Sequence, residues 1–190
     1  MRSKPITRRT VLSLRDKMPE PARIAASAAI AASVDAVLAA LPANAIVALY
    51  APKGTEVDTT ALDATLRARG LRIAYPRIVD GDRRLAFHVA AGDELEVAHF
   101  GLREPRADRP AADLASIAAF VIPGLAFDRS GGRVGWGRGY YDATLAHAPG
   151  ALRVGIAFDC QIVDSVPRAA HDIQLHYVIT ETATHRGAPH

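Results

Sequence analysis

Apolar residues along this chain recur with two different periods, and the changes of period mark out its elements. Near the start, Val11 and Leu14 stand three apart in a basic run, which predicts a weakly amphipathic helix ending near Met18-Pro19. Pro5 sits where a first helical turn tolerates it. A second helix opens at Pro21. Ile24, Ala28, Ala31, Val34, Leu38 and Leu41 follow at three- and four-residue steps and form one stripe before Pro42. Its many alanines favour helix and allow close packing.

At Ala45 the period changes, because AIVALY is a short β-rich run bounded by Pro42 and Pro52. Asp58 then caps a predicted helix that carries Leu62 and Leu66 on one face and Arg67 and Arg69 on the other, with Gly70 as its stop. LRIAYP supplies a second strand. Strand, helix and strand at this spacing imply a right-handed crossover and a parallel pair. The pattern returns as strand 117–122, helix 140–147 and strand LRVGIAF, so the predicted class is α/β. Between these units, RRLAFHV and ELEVAHF alternate apolar with polar residues and read as antiparallel or edge strands. No internal repeat or second-domain boundary interrupts residues 1–190.

The stretch VIPGLAFDRSGGRVGWGRGYYD, residues 121–142, carries most of the chemical information. A buried strand stops at Pro123-Gly124, and Gly131, Gly132, Gly135, Gly137 and Gly139 precede the next helix. Bare backbone N–H groups in such a loop can approach a phosphate, and Arg133 and Arg138 add forked donors suited to one. The run matches neither the dinucleotide fingerprint nor the P-loop, since Tyr141 falls where a third glycine is needed and no Gly-Lys-Ser/Thr closes it. Of Tyr140 and Tyr141, at most one is expected in the core. Asp142 near a helix start either complements the macrodipole or holds Mg²⁺. Glu56, after the first strand, is either solvated or an acceptor for paired N–H donors. His171 beside Asp172 is as compatible with a surface pair as with a site, and no histidine spacing suggests zinc. Ser130 lacks the strand-elbow setting of a hydrolase nucleophile.

Composition narrows the picture. Hydrophobic residues at 49% and charged ones at 23% suit a globular chain with a core. The single Cys160 has no partner for an internal disulfide, which fits a reducing, cytoplasmic setting. No stretch is apolar enough to predict a membrane span, and the N-terminus has no apolar signal region, although its Arg-rich start would also suit a transit peptide. The net charge of +3 is lopsided: Arg2, Lys4, Arg8, Arg9, Arg15 and Lys17 face only Asp16 in the first seventeen residues. That arm suits one localised anionic partner, or is a solvated helix face; nucleic acid, which would need a broader basic surface, is not expected.

Taken together these residues resemble the 5-formyltetrahydrofolate cyclo-ligase family, also called 5,10-methenyltetrahydrofolate synthetases, over nearly the whole chain. PGLAFDRSGGRVGWGRGYYD looks like that family's signature PGLxFDxxGxRLGxGxGYYD, and Lys4 with Arg8, YAPKGTEVDT, FGLREP and VPRAAHD are weaker matches. The resemblance implies a single Rossmann-like, three-layer domain over residues 1–190. Its mostly parallel central sheet would be flanked by helices, as in sugar-phosphate isomerases and CoA transferases. It further implies ATP- and Mg²⁺-dependent closure of 5-formyltetrahydrofolate, with or without polyglutamate, to 5,10-methenyltetrahydrofolate, with release of ADP and phosphate and no nucleic-acid or membrane partner. A monomer is expected.

By the same resemblance, Lys4, Arg8, Arg133, Gly135, Trp136, Gly137, Arg138, Gly139, Tyr140 and Tyr141 would bind ATP. Ala51, Glu56, Phe100, Trp136, Arg138 and Tyr140 would contact the folate, Asp142 and Asp172 would hold Mg²⁺, and Arg138, Tyr140 and Asp142 would act in the chemistry. Trp136 stands where relatives often carry a basic or smaller aromatic residue, and Arg138 where lysine or glycine is common. Two alternatives stand beside this reading. One is a sugar-phosphate isomerase or acyl-CoA transferase of similar architecture that needs no ATP; the other is a non-catalytic nucleotide- or nucleic-acid-binding module using the basic arm.

Overall fold

The computed structural model describes residues 4–169 and 172–188, and the side chains of residues 4–7 lie outside that description. Two helices come first, α1 (Lys4–Asp16) and α2 (Glu20–Val37). Strand β1 (Ile46–Ala48), helix α3 (Thr60–Ala68) and strand β2 (Arg72–Ile78) form the expected crossover unit. Strand β3 (Leu85–Val89) turns back antiparallel along β2, and short strands β4 (Glu96–Val97), β5 (Arg103–Glu104) and β6 (Ala111–Ala112) follow. Then come β7 (Ile117–Ile122), β8 (Ala126–Asp128), β9 (Arg133–Val134), α4 (Tyr140–Leu145), β10 (Leu152–Ile156), β11 (Ile162–Val163), β12 (Tyr177–Ile179) and β13 (Thr184–Arg186).

The main sheet has the order β13-β12-β10-β7-β1-β2-β3-β6, parallel from β12 through β2 and antiparallel at both edges. Successive residues of β1 face opposite sides. Val47 packs with Ile30 and Val34 of α2, Leu38 at its C-cap, and Leu62 and Leu66 of α3, whereas Ile46 and Ala48 pack with Phe87, Phe120, Phe127 and Leu145. The result is three layers: α2 and α3, the sheet, and α4. From β1 the chain crosses towards β2, and from the adjacent β7 it crosses the other way towards β10. Their diverging ends leave a crevice at the carboxyl edge, the place where ligands collect in open α/β sheets.

Several expectations are adjusted. The buried face of α2 is Ala26, Ser27, Ile30, Ala31 and Val34, while Ile24 is 64% exposed and Ala28 is exposed. In an alanine-rich helix many stripes look alike, and the bulky Ile30, Val34 and Leu38 decide which one turns inward. The helix also stops at Val37, short of Leu41. In α1, Val11 is buried but Leu14 is exposed, and Arg15, one turn from Val11, is buried instead.

Strand β2 continues through Pro76 to Ile78, which is possible because β1 pairs with it only as far as Ala74. ELEVAHF contributes only β4, which pairs with β5 in a separate ribbon. Phe100 and Gly101, at φ 56° and 66°, turn the chain out of extended conformation. The edge strand β13 and the small sheet β11-β8-β9 had no distinct periodic signal.

Candidate active site

A cavity of about 1000 Å³ opens at the diverging carboxyl ends of β1 and β7. Its wall includes Tyr50 and Ala51 after β1, Pro123 and Gly124 after β7, and the loop Arg133 to Asp142. The inward face of α1 adds Arg8, Leu12 and Arg15. This helix docks by Val11 against Ala126 and Val134 of the small sheet and Val166 beyond it, so its inner residues reach the cavity at i, i+4 and i+7.

The glycine loop is held from below by Asp128. Its carboxylate is 3% exposed and accepts from the Ser130 backbone at 3.0 Å, the Ser130 hydroxyl at 2.7 Å, the Gly132 backbone at 2.8 Å and the Val166 backbone at 2.9 Å. The Arg168 guanidinium adds a bond at 3.2 Å. Burial alone would push Asp128 up; the donors from Ser130, Val166, Gly132 and Arg168 outweigh it and hold the carboxyl below the ordinary aspartate range. Gly132 is required here because a Cβ would run into the Asp128 carboxylate.

Above this anchor, Arg133 donates from Nη2 to Asp142 Oδ1 at 2.9 Å, and the Ile173 backbone N–H donates to the same oxygen at 3.1 Å. Arg8 Nε donates to the Gly135 carbonyl at 2.8 Å. Gly137, at φ 94°, lets the Arg8 guanidinium lie against the loop, since a Cβ there would stand 2.9 Å from Arg8 Nη2. The basic first helix and the glycine run, far apart in sequence, therefore form one wall.

The rest of the lining is aromatic and acidic. Trp136 and Phe100 are 62% and 54% exposed, an unusual state for large rings, and both line the cavity. Phe100 is held at a positive φ that bulky residues rarely adopt, and the Arg138 guanidinium lies 4.0 Å from its ring centroid. Lys53 reaches the Phe100 carbonyl. Glu56 accepts from the Lys53 backbone at 2.9 Å, and the Trp136 indole bonds its carboxylate. Burial pushes Glu56 up from the ordinary range, partly offset by those bonds and by Arg15. Burial likewise raises the Tyr50 and Tyr141 phenols.

Among the described residues, two buried side-chain polar atoms have no hydrogen-bond partner, Arg133 Nε and Glu104 Oε1, and both residues line this cavity. Buried orphans are rare and costly. The wall of the cavity therefore encloses one donor and one acceptor that nothing in the protein satisfies.

Every sequence-derived site residue with a described side chain lines this one cavity: Arg8, Ala51, Glu56, Phe100, Arg133, Gly135, Trp136, Gly137, Arg138, Gly139, Tyr140, Tyr141, Asp142 and Asp172. The Lys4 side chain and His171 lie outside the described residues. Tyr140 and Tyr141 are both half-buried against the apolar cluster and neither is fully in the core, in keeping with the expectation of at most one core tyrosine. Sequence reading missed Arg15, whose Nε donates to Thr55 Oγ1 at 3.0 Å, together with Lys53, Glu104 and Asp128. For Arg15 the available signal was its position one turn after Val11 and two after Arg8.

Asp142 and Asp172 supply hard oxygen donors, although Asp142 Oδ1 is engaged with Arg133 and Asp172 Oδ2 accepts from the Ala169 backbone at 2.7 Å. Among the described residues no group of three or more His, Cys, Asp or Glu could close around a metal. Two carboxylates beside a phosphate-sized basic wall still fit Mg²⁺, which typically takes one or two carboxylates and completes its shell with water and phosphate.

Comparison with known proteins agrees with the site. The family model described as the 5-formyltetrahydrofolate cyclo-ligase family matches residues 1–181. The chain is 34% identical over 140 residues to the 5-formyltetrahydrofolate cyclo-ligase of Mycolicibacterium smegmatis, covering 70% of this chain and 72% of that one. It is 32% identical over 139 residues to the Escherichia coli enzyme of the same name, covering 70% and 76%. Among solved structures, the Aquifex aeolicus 5,10-methenyltetrahydrofolate synthetase superposes with a TM-score of 0.80 at 29% identity, over 96% of this chain and 92% of that one. A Mycoplasma pneumoniae synthetase shares the fold with a TM-score of 0.78 at 23% identity, over 95% and 99%.

Proposed function

Because the chain belongs to the 5-formyltetrahydrofolate cyclo-ligase family, we propose that its cavity converts 5-formyltetrahydrofolate to 5,10-methenyltetrahydrofolate with consumption of ATP. One observation carries the reading. The glycine loop, Arg8, Glu56 and Phe100 converge on one cavity at the switch point of the sheet, and a buried guanidinium N–H there has no partner. The whole chain would act as one catalytic unit, as a monomer in the cytoplasm.

A formamide carbonyl is a weak electrophile and its oxygen a poor leaving group. Transfer of the γ-phosphoryl group to the formyl oxygen turns that oxygen into phosphate. N10 then attacks the formyl carbon, gives up its proton, and the C–O bond breaks to release phosphate and the N5=C–N10 cation. No protein nucleophile is required; the task is to position two substrates and stabilise charge. Arg133, Arg8 and Arg138, which line the cavity, would take phosphate oxygens. Lys4 would extend that wall from the first turn of α1. Gly135, Gly137 and Gly139 keep the loop backbone close, and Tyr140 and Tyr141 close the wall behind it.

Asp142 and Asp172 would hold Mg²⁺, whose chemistry when bound is to neutralise charge on the transferring phosphoryl group. Arg133 shares Asp142 and so keeps its carboxylate aimed at the cavity. On the aromatic side, Phe100 and Trp136 offer faces to a flat heterocycle, Glu56 accepts from its N–H groups, and Ala51 leaves room beside them. The test is omission: purified protein should generate the absorbance band of methenyltetrahydrofolate only when ATP, Mg²⁺ and the 5-formyl substrate are all present. Product formation without ATP would sink the reading.

A further inference from the structure

Glu104, on β5, is almost wholly enclosed, with its side chain 2% exposed. One carboxylate oxygen, Oε2, faces His99 Nδ1 at 3.3 Å, and His99 Nε2 in turn faces Asp80 Oδ1 at 3.4 Å. Asp80 is at the surface, so His99 is braced from outside and keeps Glu104 turned inward. The other oxygen, Oε1, has no partner. The cavity that Glu104 lines also has Pro76, Ile78, Leu85 and Leu102 in its wall, none of which offers a side-chain donor. An enclosed acceptor without a partner is unfavourable unless something supplies an N–H or O–H. No role in Mg²⁺ binding or in phosphate binding uses this residue, since a carboxylate repels phosphate and Asp142 and Asp172 already serve a metal.

We propose that Glu104 is a ligand-binding residue whose Oε1 accepts a hydrogen bond from an N–H of the nitrogen heterocycle bound in this cavity. The inference rests on the folate and ATP reading above. Both ligands have a ring with N–H donors: the reduced pterin has an exocyclic amine and ring N–H groups, and adenine has an exocyclic amine. Only an acceptor can recognise those groups, and an ionised carboxylate offers no competing donor. His99 acts as a positioning residue, holding one oxygen so that the other faces the ligand.

Calorimetric titration of the full chain, with 5-formyltetrahydrofolate and separately with a non-hydrolysable ATP analogue, tests this on the wild type, Glu104→Ala and Glu104→Gln. In Glu104→Ala the Kd for one of the two ligands should rise about ten- to a hundredfold, as expected for loss of a hydrogen bond to a charged group. The other Kd should stay within about twofold on the same basis. Glu104→Gln, which keeps an acceptor oxygen, should fall between wild type and alanine. A loss confined to the folate assigns the donor to the pterin, and one confined to the nucleotide assigns it to adenine.

The ligand-free melting temperature of Glu104→Gln should stay near that of the wild type, because an amide oxygen can still meet His99 and Oε1 has no partner to lose. Unchanged Kd values for both ligands would overturn the proposal. So would a lower ligand-free melting temperature in both variants with both Kd values worsened alike, which is the signature of a structural role. A wild type that binds neither ligand would overturn the functional reading and this inference with it, a result distinct from a wild type that binds and an alanine variant that binds equally well.

Discussion

Replacing Asp128 tests whether the glycine loop is preorganised by one buried carboxylate. In Asp128→Asn, one side-chain oxygen can still accept from Ser130 and Gly132, but an amide NH₂ replaces Oδ2 and meets the Val166 N–H, 2.9 Å away, donor against donor. Hydrogen bonds to a charged group are worth about 1.5–3 kcal/mol each, and an unpaired buried N–H costs about 1–3 kcal/mol. The net loss should therefore be about 2–4 kcal/mol, and about 3–5 kcal/mol for Asp128→Ala, where every donor loses its partner. Urea unfolding at pH 7 gives these differences directly.

The pH dependence has a definite sign. The folded carboxyl lies below its unfolded value, so its contribution is complete above the unfolded value near pH 3.9 and is lost as pH falls through the folded value. The gap between wild type and Asp128→Asn should thus be constant from about pH 5 to 7 and narrow below about pH 4. A gap under about 1 kcal/mol at pH 7, the size of one ordinary hydrogen bond, would refute the reasoning, as would one that does not shrink in acid.

Three further outcomes follow from the site. Glu56 is raised by burial, so its ionisation opposes folding as pH rises from the unfolded value through the folded one; Glu56→Gln should melt higher than wild type at pH 7.5 yet bind 5-formyltetrahydrofolate about ten- to a hundredfold more weakly in a calorimetric titration. Gly137→Ala forces an L residue to φ 94° against the Arg8 guanidinium, and should cost about 1–2 kcal/mol in urea unfolding while raising the KM for ATP more than the KM for folate. Asp142→Asn should lower kcat at least about a hundredfold, on the scale of losing a charge-stabilising group, with the folate Kd within about twofold; equal small changes in both would count against its role at the metal.

Much of this fold was legible from period alone. β1, β7, β10, α3 and α4 stand where their apolar runs predict, because buried parallel strands read as continuous apolar runs and Gly70 and Gly139 punctuate the helices, although the N-cap of α3 is Thr59 and not Asp58. The face of α2 was not legible, since alanines mask which stripe turns inward. Strands of two or three residues such as β8 and β9 are too short for periodicity; tertiary contacts define them, above all the Asp128 network. At the site, signature residues could be recognised as a string, and Glu104 stands in FGLREP, but that Arg15 and Glu104 are buried at the cavity could not be read. Their burial depends on how α1 docks on the small sheet and how β5 packs beside β2, neither of which a local pattern encodes.

The central claim is that the cavity activates a formyl oxygen by phosphoryl transfer, and oxygen labelling tests it most directly. Substrate carrying ¹⁸O in the formyl group should be turned over with ATP and Mg²⁺, and the released inorganic phosphate analysed by mass spectrometry. One ¹⁸O atom in each phosphate formed is the predicted result. Unlabelled phosphate, with the label in water instead, would contradict the account.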